Sequence, residues 1–503
     1  MAVPAEISEP AEAAFPGSPT RSASQPIVLL GSLSALAALS LDMYVPGLPA
    51  MAADLGTTAS ATQLTLTACL VGLALGQLFV GPLSDARGRR RPLLIGMALY
   101  TAASVLCALA PSVWLLVGLR LVQGAAGGAA IVIATAAVRD RGENGTATAK
   151  LFAALMVVNG IAPIAAPVFG GQLLHWTTWR GVFLVLGGIG AILLLASYSL
   201  FGESLPPERR RVVVRSRNGG GHSGSGSGAR SGASAGADTG AGAGTGAGAG
   251  TGVGTGAGVG ARASAGVAAG TGTGAGAGTG ARDSAAAGAA AGVLALLPVY
   301  RRLLRDRVFL GCLLGNGLAL GGMFGYISGS PFVLQDIHGL SAQQYSLVFA
   351  SNGAGIVLGS QLSRWLVGRF GARRLMLAGL TGVTAGGVGV LLCVLGGAGL
   401  PALLPALFVN VACLGLVLPN AGALGLAEHG DVAGAAASLL GPTPYILGAL
   451  ASPLVGLGGR HDAAPMGVVI ALFDLLALGL FALLAGRGAP PGRDAAADPS
   501  AER

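Results

Sequence analysis

Twelve apolar runs dominate the sequence and constrain its fold more than any other feature. They fall near 26–46, 64–82, 92–110, 113–138, 150–172 and 180–201, and again near 308–332, 345–367, 374–396, 398–420, 432–458 and 465–486. A bilayer core needs about 20 apolar residues per helix. Only 10% of the residues are charged, against about a quarter in soluble domains. We therefore predict an all-α integral membrane protein with twelve transmembrane helices in two six-helix halves.

The segment between the two sets of runs has a different composition. Residues 218–292 are almost entirely Gly, Ala, Ser and Thr. Such a stretch cannot bury enough apolar surface to offset the entropy lost on ordering. Its Gly-x-Gly strings follow no strand and precede no helix, so they do not indicate a nucleotide site. The predicted organisation is a tail at 1–25, a half at 26–202, a disordered linker at 203–300, a half at 301–486 and a tail at 487–503.

A basic loop after the second run predicts the orientation of the chain. Residues 81–94 contain four arginines, and the loops after the fourth and eighth runs are also basic. The alternate loops hold only Arg180 and Arg460. Because Lys and Arg stay on the cytoplasmic side of a membrane, we expect both termini and the linker inside the cell, at the inner membrane. The same rule accounts for the net charge of +9, which therefore does not indicate a nucleic-acid partner.

The basic loop and the run before it have a second copy later in the chain. Five residues recur at a constant spacing of 283, without a gap: Gly72, Gly76, Gly88, Arg90 and Arg91 return as Gly355, Gly359, Gly371, Arg373 and Arg374. Glycines four residues apart on a helix let two helix backbones approach closely. Two related six-helix halves are typical of one large class of secondary transporters.

The first copy resembles the loop signature of the major facilitator superfamily, Gly-x-Leu-(Ala/Ser)-Asp-Arg-x-Gly-Arg-(Arg/Lys). The matching residues are Gly81, Leu83, Ser84, Asp85, Gly88, Arg89 and Arg90. Ala86 stands where the family has its first arginine, Arg87 is displaced by one position, and Gly368 replaces the aspartate in the second copy. The resemblance implies a cytoplasmic gate formed by Gly81, Asp85, Arg87, Gly88, Arg89, Arg90, Gly371, Arg373 and Arg374.

Other strings extend this resemblance to individual helices. Arg120-Leu-Val-Gln123-Gly124 is similar to the family's Arg-x-x-Gln-Gly pattern in the fourth helix. An element similar to the Gly-Pro-x-x-Gly-Gly of exporters lies in the fifth run, at Ala166, Pro167, Gly170 and Gly171. The ends of the first and seventh runs, 41–46 and 326–332, resemble the bicyclomycin-resistance (Bcr/CflA) type of drug:proton antiporter. This implies a monomer that works with protons and a small-molecule substrate, without a cofactor.

Two charged residues inside the runs are candidates for proton coupling. Asp42 is one, because a carboxylate within a spanning helix is energetically costly and marks function by default; the resemblance also implicates its position in coupling. Arg120 is the other, because a guanidinium there needs a partner or a water-filled cavity. Structural alternatives stay open, with Asp42 hydrated near the outer surface and Arg120 clamping backbone carbonyls.

Uncharged polar and aromatic side chains in the runs are weaker candidates. We predict substrate contacts from Tyr44, Gln123, Tyr326, Asn352 and Asn410, although such aromatics more often pack than bind. Asp474, the other acid deep in a run, is expected to make a local structural hydrogen bond. The five cysteines lie singly, without metal-ligand spacing, so neither a metal nor a cofactor is predicted.

Together these features predict a secondary transporter and not an enzyme. The favoured function is export of lipophilic drugs or small metabolites by proton antiport through alternating access. Two alternatives stay open. One is a proton-coupled importer or metabolite permease of the same fold, and the other is a membrane receptor without transport.

Overall fold

Helices make up almost all of the computed structural model, which describes residues 24–141, 145–203, 298–427, 429 and 432–485. The N-terminal half contains α1 (Ser24–Asp42), α2 (Ala59–Arg87), α3 (Arg90–Ala108), α4 (Val113–Arg141), α5 (Gly145–Trp176) and α6 (Trp179–Leu200). The C-terminal half contains α7 (Arg307–Pro331), α8 (Ala342–Phe370), α9 (Ala372–Leu395), α10 (Leu400–Ala427), α11a (Ala433–Leu440), α11b (Thr443–Val455) and α12 (Ala464–Leu484). The predicted tails and nearly all of the predicted linker lie outside the described residues.

Local sequence signals account for where several of these helices begin or break. Thr58 and Asp306 cap α2 and α7 by accepting backbone N–H groups, and Ser341 forms a capping box with Gln344 at α8. Such caps satisfy donors that have no partner within the helix. The eleventh span is divided at Gly441 and Pro442, because proline disrupts the interior of a helix.

Among the residues that the structure describes, ten helical segments are long and apolar enough to cross a membrane by length and composition. The other two long helices, α5 and α8, contain 32 and 29 residues and pack against each other between the halves. The all-α membrane fold in two six-helix halves is therefore confirmed.

The two halves pack their helices in the same pattern. In the first, α4 packs against α1, α2 and α3, while α3 packs against α6 and α1 against α5. The helices six positions later repeat every one of these pairs. Between the halves, α2 packs on α11b and α5 on α8, two contacts that the same correspondence exchanges. The repeat seen in one loop thus extends to the whole of each half.

Backbone contact explains the repeated glycines. A Cβ at Gly76 would collide with the carbonyl of Ala125 on α4, and one at Gly359 would collide with the carbonyl of Ala412 on α10. Gly128 and Gly415 contact Leu73 and Ile356 in the same way. Residues of α4 therefore correspond to residues of α10 at a spacing of 287, four more than in α2 and α8.

Five hydrogen bonds between side chains and backbone carbonyls join the halves at one end of the bundle. We call this the latch end, and the end with the arginine loops the basic end. The donors are Ser60, Gln63, Gln335, Gln343 and Arg460, and the acceptors are Gly456, Ser328, Pro46, Gly171 and Thr57 respectively. The described conformation is therefore closed at the latch end.

Candidate functional site

Arg120 lies at the centre of a buried network in the N-terminal half. Its Nη1 donates to Gln123 Oε1 at 2.5 Å, and its Nη2 donates to the Ser40 carbonyl at 2.9 Å. The guanidinium carbon lies 4.3 Å from the centre of the Tyr44 ring. A spacing of three residues places Gln123 beside Arg120 on one face of α4. An amide, a carbonyl and an aromatic face thus hold the buried cation.

The network continues onto α3. Gln123 Nε2 donates to Ser104 Oγ at 2.7 Å, and Ser104 Oγ donates to the Tyr100 carbonyl at 2.7 Å. The Tyr100 hydroxyl lies 2.6 Å from Ser40 Oγ, which closes a loop through α1, α3 and α4. Ser40, Tyr100 and Ser104 were not predicted from the sequence, because their only signal is a polar group within an apolar run.

Asp42 occupies the end of α1 and is 6% exposed. The alternative of a hydrated carboxylate at the surface is therefore wrong for this conformation. No ion pair within 4 Å joins Asp42 to Arg120. Residues 45–47, which follow Asp42 closely, pack against α7 and α8 of the other half, and Gln335 donates to the Pro46 carbonyl. Asp42 therefore lies close to the place where the two halves meet.

An aromatic cluster faces this junction from the C-terminal half. Tyr326 stacks on Phe349 with ring centres 5.9 Å apart, and Tyr345 lies 6.2 Å from the same Phe349. The Tyr326 hydroxyl accepts a hydrogen bond from Asn352 at 2.8 Å. Two predicted contact residues thus come together, while Tyr345 and Phe349 were missed because aromatics near the end of a run also suit plain packing.

Asn410 lies apart from that cluster. Its Nδ2 is 2.6 Å from Asp474 Oδ2 and 2.8 Å from the Val383 carbonyl, so it joins α10 to α12 and α9. Asp474 therefore makes the local hydrogen bond expected from the sequence. The five predicted contact residues are all buried in the described conformation.

The basic end contains an ion-pair cluster built on Arg89. The guanidinium of Arg89 lies 2.5 Å from Asp85 and 3.0 Å from Asp140, and it donates to Ser84 Oγ at 2.6 Å. Arg89, at the start of α3, thus pairs with one acid on α2 and one on α4. Asp140, at the end of α4, was missed because it lies 51 residues from Arg89.

The remaining gate residues share no single site. Gly88 and Gly371 have φ angles of +91° and +77°, a region that favours glycine. The side chain of Arg90 donates to the Tyr198 carbonyl at 2.9 Å, and that of Arg373 donates to the Ala485 carbonyl. Arg87 and Arg374 are exposed, and the Gly81 carbonyl accepts from Ser84 at 2.8 Å.

The exporter-type element of α5 provides two close helix contacts. A Cβ at Gly170 would collide with the carbonyl of Met43, the residue after Asp42, and one at Gly171 would collide with Ser346 of α8. Ala166 is fully buried, and Pro167 lies inside the helix. These small residues let α5 pack against both the Asp42 segment and the other half.

Comparison with known proteins places these features in context. The sequence model of the Major Facilitator Superfamily matches residues 30–453. The chain is 35% identical over 449 residues to the MFS-type transporter YdgK of Bacillus subtilis, covering 88% of this chain and 90% of that protein. It is 23% identical to a bicyclomycin resistance protein homolog of Haemophilus influenzae, over 88% and 91% of the two chains.

One further similarity covers part of the sequence, and another concerns the fold. The chain is 40% identical to a chloramphenicol resistance protein of Pseudomonas aeruginosa over 161 residues, which are 32% of this chain and 38% of that protein. Its fold is similar to that of the xylose transporter XylE from E. coli in a partially occluded inward-open conformation. That likeness has a TM-score of 0.58 and 13% identity, and covers 91% of this chain and 96% of the other.

Proposed function

The chain belongs to the major facilitator superfamily of membrane transporters, and we propose that it exports lipophilic drugs or small metabolites in exchange for protons. Asp42 carries this proposal, because it is a buried carboxylate close to the junction of the halves. A carboxyl group at that place can meet water from either side in turn, which proton-coupled alternating access requires. The resistance proteins among its relatives support a drug as the cargo.

The arginine loops give the direction of the cycle. With the basic end in the cytoplasm, as the positive-inside rule favours, the latch end faces outward and the described conformation is closed to the outside. Opening outward must break the five hydrogen bonds of the latch end. In our proposal, protonation of Asp42 from outside then weakens drug binding, and a drug entering from inside displaces the proton.

Arg120 acts in this proposal as a fixed positive charge. Its Nη2 holds the Ser40 carbonyl, two residues before Asp42, so it positions the end of α1 as well as acting on the carboxylate. Because a guanidinium stays charged in proteins, Arg120 favours the ionised form of Asp42 whenever the two approach. The clamp on the Ser40 carbonyl and the electrostatic role therefore belong to the same side chain.

The surroundings of Asp42 favour an apolar cargo with neutral or single charge. Tyr345 and Phe349 of α8 form an aromatic cluster with Tyr326 of α7. Residues 45–47, just after Asp42, pack against both of these helices. Aromatic faces bind apolar groups and attract cations. We propose that the drug occupies the space between Asp42 and the aromatic cluster once the halves separate.

We further propose that the protein lies in the inner membrane of a bacterium and works as a monomer. The basic loops support a cytoplasmic location for both termini and for the linker at 203–300. Since both halves belong to one chain, a central site between them needs no second copy.

Transport assays in inverted membrane vesicles test the proposal. With chloramphenicol and bicyclomycin as probes, we expect proton-gradient-driven accumulation that a protonophore abolishes. Asp42→Asn and Arg120→Ala should lose it, whereas Asp54→Asn, at a half-exposed acid paired with Arg180, should keep it. Full gradient-driven transport by both the Asp42 and Arg120 variants would exclude the proposed coupling, and accumulation in right-side-out vesicles would indicate an importer.

A further inference from the structure

Asp474 lies in the middle of α12, within a span of mean hydropathy 2.6. The proposed cycle does not use it. Its side chain is almost completely buried, with 1% of the residue exposed. Acidic residues in such surroundings are rare and are paired or functional. Something other than hydration must therefore stabilise this carboxyl group.

The partners of the carboxyl group are few. Oδ2 accepts one hydrogen bond from Asn410 Nδ2, while Oδ1 is buried without a hydrogen-bond partner among the described residues. The Thr384 hydroxyl donates to the backbone carbonyl of Asp474 and not to its side chain. An ionised carboxylate with one unpartnered oxygen is strongly destabilised in such a place, whereas a neutral carboxylic acid loses far less solvation free energy on burial.

No cation of the neighbouring helices compensates the charge. Among the described residues, no Arg, Lys or His nitrogen lies within 4 Å of Asp474. The helices around Asp474 carry few titratable residues. In the order α7, α9, α10 and α11b they are Arg307, Cys312, Tyr326, Arg373, Arg374, Cys393, Cys413 and Tyr445. The arginines stand at the first turns of α7 and α9, and Arg373 donates to the carbonyl of Ala485, eleven residues from Asp474.

Two glycines make the space that the carboxyl group occupies. A Cβ at Gly322 of α7 would lie 2.8 Å from Oδ1, and one at Gly387 of α9 would collide with Oδ2. Real Cβ atoms do not approach oxygen so closely. The slot between α7, α9 and α10 therefore holds a carboxyl group only because both positions lack a side chain.

The repeat shows that this slot is the counterpart of the Arg120 network. With the spacing of 287 between α4 and α10, Gln123 corresponds to Asn410, and with the spacing of 283 between α3 and α9, Ser104 corresponds to Gly387. In the first half the amide holds a cation, and in the second half it holds Asp474. Each half thus encloses one ionisable group beside the same amide position.

From this geometry we propose that Asp474 is a second proton-binding residue of the transporter, in the C-terminal half. The proton resides on Oδ1, since Oδ2 accepts from Asn410. It comes from water as the carboxylate enters the slot, and it returns to water when α7 and α12 separate enough to wet the slot. Its part in transport rests on the proposed proton antiport, whereas the bound proton can be tested without any drug.

Infrared difference spectra of the full-length protein in lipid nanodiscs test the site. We expect a carboxylic-acid C=O band at neutral pH that shifts in D2O, disappears in Asp474→Asn and persists in Asp42→Asn. Asn410→Leu should move the band to higher frequency, because Oδ2 then loses its donor. This second variant keeps the test decisive if Asp474→Asn does not fold. A band unchanged by both the Asp474 and Asn410 variants would overturn the proposal.

Proteoliposomes loaded with a pH-sensitive dye test the role in transport. With chloramphenicol as the probe, Asp474→Asn should move fewer protons per drug than the wild type while still transporting the drug. An unchanged ratio would overturn the role of Asp474. If the wild type moves drug without protons, the proposed antiport fails, and the infrared result for Asp474 still stands by itself.

Discussion

The two halves of the molecule use the same scaffold to bury opposite charges. Gln123 and Asn410 occupy corresponding positions, yet the first binds Arg120 and the second binds Asp474. The surroundings of the two side chains differ because a guanidinium and a carboxyl group need different hydrogen-bond partners. The guanidinium has five donors and receives an amide, a carbonyl and an aromatic ring. The carboxyl group receives one amide and a space left by two glycines. A repeat therefore preserves backbone contacts while its polar chemistry diverges.

The largest effect is expected when Arg120 is replaced with the residue that occupies the corresponding position in the other half. Leu407 corresponds to Arg120, so Arg120→Leu makes the halves alike at this position. Gln123 Oε1 and the Ser40 carbonyl then lose a donor, at about 1–3 kcal/mol for each group. We expect the chloramphenicol transport rate in proteoliposomes to fall by at least about tenfold.

Arg120→Lys is the matched control, since lysine keeps the charge but not the fork of donors. Its transport rate should lie between those of the wild type and Arg120→Leu. Equal rates for all three proteins would show that the network does not position Asp42.

A methyl group in the glycine slot should disturb the C-terminal half. Gly387→Ala places a Cβ against Asp474 Oδ2, and overpacking of this kind costs about 1–3 kcal/mol. Gly389→Ala on the same helix meets only the Ala406 methyl at 3.4 Å and serves as the control. Thermal unfolding in detergent should show a lower midpoint for Gly387→Ala alone, and equal midpoints would contradict the slot.

The arginine loops allow a comparison at the basic end. Asp85 and Arg89 form an ion pair in the first copy, and the corresponding residues of the second copy are Gly368 and Ala372. Arg89→Gln should slow transport several-fold, because Asp85 and Asp140 then repel each other without a cation between them. Arg374→Gln, at an exposed residue, should have little effect on the transport rate. Slower transport by this variant would mean that the second copy of the loop acts as the gate.

The smallest expected effect concerns the latch end. Gln63→Ala and Gln335→Ala each remove one hydrogen bond between the halves, a contribution of about 0.5–1.5 kcal/mol. We expect a modest shift toward outward opening, seen as longer distances between spin labels at Thr57→Cys, which keeps its backbone carbonyl, and at the exposed His461→Cys. Distances that match those of the unmutated latch would mean that packing alone keeps this end closed.

The fold and the importance of single charged residues could be predicted from local patterns. Run length predicts membrane helices, the arginine loops mark the repeat, and an acid or arginine within a run stands out wherever it lies. The partners could not be predicted in this way. Arg120 binds the carbonyl of Ser40, 80 residues earlier, and every residue of a chain has such a carbonyl. Asn410 likewise binds Asp474, 64 residues later, a partner that no local pattern indicates.

The sequence by itself determined which segments are helices, how the chain divides into two halves, and which end carries the positive charge. These properties depend on run length, glycine spacing and loop composition, all of which are local. Only the tertiary structure decided that Arg120 binds the Ser40 carbonyl beside the Tyr44 ring, that Arg89 pairs with Asp140, and that Asp474 lies beside Asn410. Those contacts depend on the rotation of each helix about its axis and on its neighbours, and a uniformly apolar run specifies neither.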